Sequence, residues 1–258
     1  GSLTINANST TTSYTLPVGG GAARQVLAMD NPLTGTTTWT TAAPAPTGLV
    51  SVTENGNSGH RLATANTLNH GGIGDNALDL SIQTNTSSIT GARGSYAFAS
   101  GQNTTASGNY STATGGSTIA SGTYSFAMGS NTVALADNST AMGFNTSASG
   151  FSSTAMGQNS IASGAESTAM GRFTIAESLG QTSLGIFNTA QAGNATNRIE
   201  TDRLLVVGNG TSNSARSDAL VMLKNGKTTL NGSLTLNPTG ASSYTLPTAN
   251  GTDGQVLT

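Results

Sequence analysis

A repeat of 14 residues governs the middle of this chain. Seven consecutive copies run from residue 94 to residue 191 and begin at Gly94, Gly108, Gly122, Ala136, Gly150, Gly164 and Ser178. Position eight is always glycine and position thirteen is always alanine, while position six is alanine in six copies and Ser183 in the seventh. A short, fixed period of this kind indicates stacked structural units that contact mainly their neighbours.

Each repeat has room for two short strands and two turns, which make one flattened coil of a β-solenoid. Because side chains alternate along a strand, the alanines of positions six and thirteen should meet inside the coil, where only methyl-sized groups allow two sheets to approach closely. The predicted coil interior consists of Ala113, Ala127, Ala141, Ala155, Ala169, Ala120, Ala134, Ala148, Ala162 and Ala176. The fold class that follows is all-β, with no helix of ten or more residues.

The larger side chains of the repeats then point out of the coil. Positions five and seven carry an apolar stripe made of Phe98, Phe126, Met128, Met142, Met156, Met170 and Leu184. A continuous apolar stripe on a surface is typical of an interface. Packing around a three-fold axis would bury the stripe, so we expect a homotrimer with these seven residues at its interface.

The composition excludes several classes of partner. Only 8% of the residues are charged, against about 25% in ordinary globular proteins, and the formal net charge is −2. This balance gives no electrostatic basis for binding nucleic acid. The chain has no apolar run of 18 residues, so we expect no membrane insertion by this fragment. It has no cysteine, which fits an extracellular location.

A second, longer repeat brackets the first. Residues 2–17 read SLTINANSTTTSYTLP and residues 233–247 read SLTLNPTGASSYTLP, and each copy is followed by Gln-Val-Leu. We interpret the chain as part of a longer modular fibre. Its predicted divisions are a cloning scar (1–2), a Tyr-Thr-Leu-Pro module (3–45), a connector of short strands (46–93), the repeats (94–191), a β-hairpin neck (192–232) and a partial second module (233–258).

Strands outside the repeats are predicted from short apolar alternations. They cover residues 49–52, 78–82 and 203–207. Asn225-Gly226 between two apolar runs is a strong hairpin signal, because both central residues of such a turn need positive φ.

The repeat pattern Ser-x-Ala-x-Gly, followed by x-x-Ser/Thr-x-Ala, resembles the head of YadA-like trimeric autotransporter adhesins. The clearest copies are residues 139–143, 153–157 and 167–171. The resemblance implies a trimer of left-handed parallel β-rolls on the outside of a cell. The flanks resemble modules of large bacterial surface proteins and of phage or injection-particle tail fibres. Two locations therefore stay open: the bacterial cell surface, by outer-membrane attachment, and the surface of a phage-like particle.

No catalytic, cofactor or metal site is predicted. His60 and His70, with Asp75 and Asp79 nearby, match no standard ligand spacing, and we expect them in an exposed polar loop. A polysaccharide-degrading tail spike would need clustered carboxylates, whereas those of the repeats are scattered over different positions. The Thr column at position eleven (Thr104, Thr118, Thr132, Thr146, Thr174) raises a further alternative, an ice-binding solenoid.

The candidate receptor surface lies on the turns of the coils. Tyr96, Tyr110 and Tyr124 share position three and should stack as a ladder, which either stiffens the first coils or offers a flat aromatic surface. The other candidates are Phe144, Phe151, Gln158 and Arg172. The predicted function is non-enzymatic adhesion to a host cell, matrix or glycan. The alternative is a receptor-binding or spacer segment of a tail fibre.

Overall fold

The structure is a computed structural model that describes residues 4–6, 13–15, 25–31, 36–41, 48–65, 67–84, 88–232, 235–236 and 244–245. Side chains are described for residues 48–65, 68–84 and 88–232. The chain divides into two compact units, residues 1–46 and 47–258. The predicted scar at Gly1 and Ser2 and the second Gln-Val-Leu motif at 255–257 lie outside the described residues.

The first unit contains one sheet of four short strands. They are β1 (Thr4–Asn6), β2 (Ser13–Thr15), β3 (Gln25–Asn31) and β4 (Thr36–Thr41). Their order in the sheet is β1-β2-β4-β3. Strands β1 and β2 are antiparallel and place Ile5 opposite Tyr14.

The second unit holds the repeats and the strands that flank them. Before the repeats come β5 (Leu49–Glu54), β6 (Asn57–Leu62), β7 (Leu78–Ile82) and β8 (Gly91–Ala92). The repeats form β9 (Phe98–Gln102), β10 (Thr105–Ala106), β11 (Thr112–Gly116), β12 (Ile119–Ala120), β13 (Phe126–Ser130), β14 (Val133–Ala134), β15 (Thr140–Phe144), β16 (Ser147–Ala148), β17 (Thr154–Gln158), β18 (Ile161–Ala162), β19 (Thr168–Arg172), β20 (Ile175–Ala176) and β21 (Thr182–Ile186). After them come β22 (Arg203–Asn209), β23 (Asp218–Leu223), β24 (Thr228–Leu230), β25 (Thr235–Leu236) and β26 (Tyr244–Thr245).

Each of the first six repeats builds one coil from a long and a short strand. The long strands pair in parallel with a register of one repeat, so that Met142 lies opposite Met156 and Met156 opposite Met170. The short strands pair in the same way, with Ala148 opposite Ala162. Two parallel sheets therefore face each other across the coil interior, and the predicted β-solenoid is confirmed.

The long sheet continues beyond the repeats in both directions. It has 13 strands, from β5 at one edge to β24 at the other. On the N-terminal side, Leu78 of β7 lies opposite Phe98 of β9, an offset of 20 residues instead of 14. This additional coil escapes a search for the repeat because a loop lengthens it. On the C-terminal side, β22 pairs in parallel with β21, and the hairpin predicted at Asn225-Gly226 joins β23 to β24.

The seventh repeat departs from the pattern after its long strand. No described strand follows β20 in the short sheet, and Ala190 at position thirteen is exposed. The side chain of Asn188 replaces the missing backbone partner, because its Oδ1 accepts a hydrogen bond of 2.8 Å from the Ile175 amide. Ala190 thus does not extend the predicted interior column of alanines.

The remaining strands form a small pair. Strands β25 and β26 are antiparallel and place Leu236 opposite Tyr244, as Ile5 lies opposite Tyr14 in β1 and β2. The two copies of the Tyr-Thr-Leu-Pro module thus share one local strand pairing. Among the described residues the helical structure is a single 3-10 turn, Thr67–Asn69, and none of it has the length and hydropathy of a membrane span.

Candidate functional site

The coil interior is made of small side chains. All ten alanines predicted there have no solvent exposure. The serines of position four and the threonines of position eleven join them, as Ser153 and Thr146 illustrate. An interior this narrow leaves no room for a ligand, so the surfaces of the repeats that a ligand could reach are the outer faces and edges of the coils.

Two left-handed residues in each coil create its two edges. Position three has positive φ from Tyr96 to Glu166, and position ten has positive φ from Asn103 to Phe187. Because the chain turns at these points, the residues of positions two and three lie on one edge and those of positions nine and ten on the opposite edge. We call these the position-three edge and the position-ten edge.

The turn at position ten explains why one of the functional alternatives is wrong. An ice-binding solenoid would need the Thr column of position eleven as an exposed array of hydroxyl groups. The left-handed residue before it shifts the alternation of side chains, so that position eleven faces inward together with position thirteen. Thr104, Thr118, Thr132, Thr146 and Thr174 are all buried, and ice cannot reach their hydroxyl groups.

The apolar stripe lies on the outer face of the long sheet. Met128 and Met170 are 44% and 40% exposed, and Phe98, Phe126, Met142, Met156 and Leu184 are partly exposed. The strand register places the position-seven side chains in one continuous row, with Met128 beside Met142. The stripe is accessible on the single chain and offers an apolar surface to a partner.

The tyrosine ladder occupies the position-three edge of the first coils. The ring centroids of Tyr96 and Tyr110 are 5.0 Å apart, and those of Tyr110 and Tyr124 are 4.9 Å apart. The planes of neighbouring rings differ by 2° and 11°, so the rings are stacked face to face. The stack hides most ring faces and presents edges and hydroxyl groups to solvent.

The other candidate residues do not form one surface. Phe144, Gln158 and Arg172 share position nine and follow one another in strand register on the position-ten edge. Phe151 was grouped with them, but it occupies position two and therefore lies on the opposite edge, that of the tyrosines. All four side chains are exposed.

The predicted exposed loop around the histidines is wrong for His70 and Asp79. Asp79 takes position six of the additional coil, where the repeats have alanine, and it is fully buried. His70 Nδ1 lies 3.0 Å from Asp79 Oδ2, and Arg61 Nε lies 3.4 Å from the same oxygen. His60 is exposed but lies on strand β6, so of these four residues only Asp75 lies in an exposed loop. The solenoid interior thus ends in a charged cluster, which we call the N-terminal cap.

Every member of the N-terminal cap has a structural partner. Arg61 donates to Glu54 Oε1 at 2.8 Å and to the Gly71 carbonyl at 3.0 Å. Glu54 Oε2 accepts the Ile73 amide at 2.9 Å, and Asp79 Oδ1 accepts the Ser81 hydroxyl at 2.5 Å. These contacts hold the β5–β6 hairpin over the first coil. Among the described residues, no three His, Cys, Asp or Glu side chains come together as metal ligands.

The carboxyl groups of Asp79 and Glu54 in the N-terminal cap have lowered pKa values. Burial acts to raise the pKa of Asp79, but the hydrogen bonds from His70 and Ser81 and the electrostatic interaction with His70 outweigh it. Burial likewise opposes the lowered pKa of Glu54, which follows from the Arg61 hydrogen bond and the Ile73 amide. The ionised carboxylates of Asp79 and Glu54 therefore stabilise the folded state.

We expect the cap to lose stability in acid. Carboxyl groups with a lowered folded pKa contribute stability above their unfolded pKa of about 4, and this contribution is lost as the pH falls through the folded pKa. The free energy of unfolding, measured by denaturant titration, should fall as the pH is lowered below about pH 4. Asp79→Asn should lower it at neutral pH by about 3–5 kcal/mol, because Arg61 and His70 lose a buried partner. Glu166→Gln, at an exposed carboxyl, is the control; equal effects of the two changes would contradict the role of Asp79.

A second ionic cluster closes the other end of the solenoid and was not predicted. Arg203 Nη2 lies 3.0 Å from Asp218 Oδ2, and its Nη1 donates to the Thr189 carbonyl at 2.6 Å. Asp218 Oδ1 accepts the Thr189 amide at 2.8 Å. Asp218 sits on β23, so the cluster ties the hairpin to the chain that leaves the seventh repeat. No local pattern in the sequence links residues so far apart.

The fold and its surfaces define a repeat protein of the β-solenoid class, with an interior of small side chains and larger side chains on its outer face and edges. Residues 92–118, 120–146 and 148–174 match the family model described as YadA head domain repeat (2 copies). Residues 92–174 therefore resemble YadA head domain repeats, and this part of the chain folds as a YadA-like head of 14-residue coils. A search of curated proteins and a search of solved structures gave no match.

Proposed function

We propose that this chain is a segment of a homotrimeric, non-enzymatic adhesive fibre exposed on the outside of a bacterial cell. The observation that carries the proposal is the YadA head repeat itself, folded as a roll whose Phe and Met side chains of positions five and seven lie on the outer face. YadA-type heads are surface-exposed trimeric adhesin domains and not an enzyme family. The apolar stripe supplies the surface by which three copies would associate, and the two edges remain available to a receptor.

The trimer would cover the apolar stripe in a chain that has few charges. Only 8% of its residues are charged, and a row of methionines lies on the outer face of the long sheet. Around a three-fold axis each row would be covered by the other two chains. Three copies of each edge would then surround the fibre, and weak contacts at the three copies would add up through multivalency.

A binding assay tests the proposed adhesion. Fluorescently labelled chain, shown to be trimeric by sedimentation, is incubated with cultured animal cells, immobilised matrix proteins and immobilised glycans. We expect saturable binding to at least one of these surfaces, and heat-denatured chain should not bind. If the folded trimer binds none of these surfaces, adhesion by this segment is contradicted.

A second candidate function is a receptor-binding or spacer segment of a tail fibre. The observation that favours it is the flanking module, whose two copies repeat the same strand pair, with Tyr14 and Tyr244 in equivalent places. The same assay separates the candidates when bacterial cells are included. Binding to bacteria alone would support a tail fibre, and binding to no surface would support a spacer.

A further inference from the structure

An exposed arginine stands on an aromatic support at the position-ten edge. The guanidinium of Arg172 lies 5.6 Å from the centroid of the Phe173 ring and 5.2 Å from that of Phe187. The two rings are themselves stacked, with centroids 4.7 Å apart. No carboxylate among the described residues forms a salt bridge with Arg172. The edge therefore presents a positive charge, held in place by cation–π contacts, that the surrounding protein does not neutralise.

The aromatic support is built at a cost in backbone strain. Phe173 and Phe187 occupy position ten with φ of 56° and 45°, where other repeats have asparagine or serine. A bulky residue is rare in this left-handed region, whereas asparagine is tolerated there. Strain of this kind persists where the surroundings enforce it and often marks a functional site.

A second arginine, Arg216, holds the backbone that carries Phe173 and Phe187. Arg216 donates to the Phe173 carbonyl at 2.8 Å and to the Asn188 carbonyl at 2.8 Å. Its guanidinium lies 5.9 Å from the Phe187 centroid, so it adds positive charge beneath the aromatic pair. Arg216 is thus a positioning residue for the support of Arg172.

The neighbouring coils continue the edge with amide groups and an aromatic ring. Gln158 lies next to Arg172 in the strand register, and Phe144 lies next to Gln158 with 49% of its surface exposed. The amides of Asn145 and Asn159 are joined by a hydrogen bond on the same edge. Adjacent coils are about 4.8 Å apart, so Phe144 and Arg172 are separated by roughly 10 Å.

We propose that the edge formed by Phe144, Gln158 and Arg172 binds an acidic sugar chain. Arg172 would hold a carboxylate or sulfate group through paired N–H donors, which suit the planar guanidinium. The Phe144 ring would lie against the apolar face of a sugar, and Gln158 between them would bond its hydroxyl groups. The proposal rests on the adhesive function above and names the chemical class of one receptor.

The tyrosine ladder is a less suitable site for an acidic sugar chain, and an acidic peptide is a less suitable partner for the edge at Arg172. The tyrosine ladder lacks a cation, and its stacked rings cover one another's faces. An acidic peptide would be recognised by a cluster of arginines or by adding a strand to an open sheet edge, and position nine of the repeats carries one arginine, Arg172. Strands β15, β17 and β19 are paired on both sides, so this edge offers side chains only.

Immobilised polysaccharides test the site. The probes are heparin, which carries sulfate and carboxylate groups, hyaluronan, which carries carboxylates alone, and neutral dextran. We expect the wild-type chain to bind heparin or hyaluronan but not dextran, with affinity that falls as salt rises. Binding to hyaluronan identifies carboxylate recognition, and binding to heparin alone identifies sulfate. Failure to bind both acidic polysaccharides would overturn the proposal.

Matched variants locate the binding. Arg172→Gln should weaken binding about tenfold or more, since a charge-assisted contact is lost, and Arg172→Lys should recover part of the affinity. Phe144→Ala should weaken binding severalfold. Arg93→Gln, which removes an exposed arginine from the additional coil, should have no effect. Equal affinities of Arg172→Gln and Arg93→Gln for the acidic polysaccharides would overturn the proposal. The proposal would also be overturned if polyglutamate displaced the bound chain and the soluble acidic glycan did not.

The two proposals fail in different ways. If Arg172→Gln and wild type bind cells equally and neither binds acidic glycans, the glycan site is wrong and adhesion stands. If the wild type binds acidic glycans through Arg172 but binds no cell or matrix surface, the site stands and adhesion is wrong.

Discussion

Replacing Met156 by aspartate is expected to give a chain that is monomeric or insoluble. Met156 lies near the middle of the apolar stripe, between Met142 and Met170 in the strand register. In the proposed trimer the new carboxylate would be removed from water, which costs several kcal/mol for each ion. The three copies would also repel one another near the axis. Sedimentation velocity and light scattering measure the outcome directly.

Two further variants separate charge at the stripe from charge elsewhere. Gln158→Asp introduces the same carboxylate two residues away, on the exposed position-ten edge, and should leave the trimer intact. Met156→Leu keeps the apolar contact and should also remain trimeric, because a swap of similar volume costs less than about 1.5 kcal/mol. A trimeric Met156→Asp with an unchanged melting curve would mean that the stripe faces solvent, and the interface would then have to lie on another surface.

Much of the fold could be predicted because the repeat period directly reports the coil. Position six and position thirteen recur as alanine, and the structure places Ala155 and Ala162 in the interior with no exposure. Local rules also sufficed for the hairpin at Asn225-Gly226, where the turn residues alone determine the geometry. Predictions of this kind succeed where the information lies within one coil or one turn.

The N-terminal cap could not be predicted because its contacts join segments that are distant in the sequence. Asp79 is at position six of a coil, yet a loop before β8 lengthens that coil and removes it from the register of the repeats. Without the register, a polar segment with two histidines has the composition of an exposed loop. Burial of Asp79 depends on Arg61, from an antiparallel hairpin, and on His70, from a separate loop. Such contacts between distant segments leave no periodic signal.

The edges of the coils were predicted in part. Position nine is predicted on a turn, but it is the last residue of each long strand, as Gln158 and Arg172 show. The left-handed backbone at position ten is not predicted for bulky residues such as Phe173. That conformation shifts the alternation of side chains, buries the Thr column and separates Phe151 from Phe144. The candidate site thus depends on a backbone angle that the residue type does not reveal.

Changing Gly115 to alanine is expected to destabilise the coil far more than the same change at its neighbour, Gly116. Gly115 occupies position eight with φ of 115°, a region that residues with a Cβ rarely adopt. A Cβ added there would lie 2.0 Å from the carbonyl oxygen of Gly129 in the next coil. Since that oxygen belongs to the backbone of the parallel sheet, it cannot move aside without breaking the ladder.

The two strains should add in Gly115→Ala and remain absent in Gly116→Ala. Backbone strain costs about 1–3 kcal/mol and overpacking a similar amount, so we expect Gly115→Ala to lose at least about 3 kcal/mol of unfolding free energy. A Cβ on Gly116 would meet only the Ser130 hydroxyl, at 4.0 Å, and its change should stay within about 0.5 kcal/mol. Chemical denaturation of both variants measures the difference. Equal denaturation midpoints for the two variants would contradict the close stacking of the coils at position eight. In that case position eight would require glycine neither for its positive φ nor for its lack of a side chain.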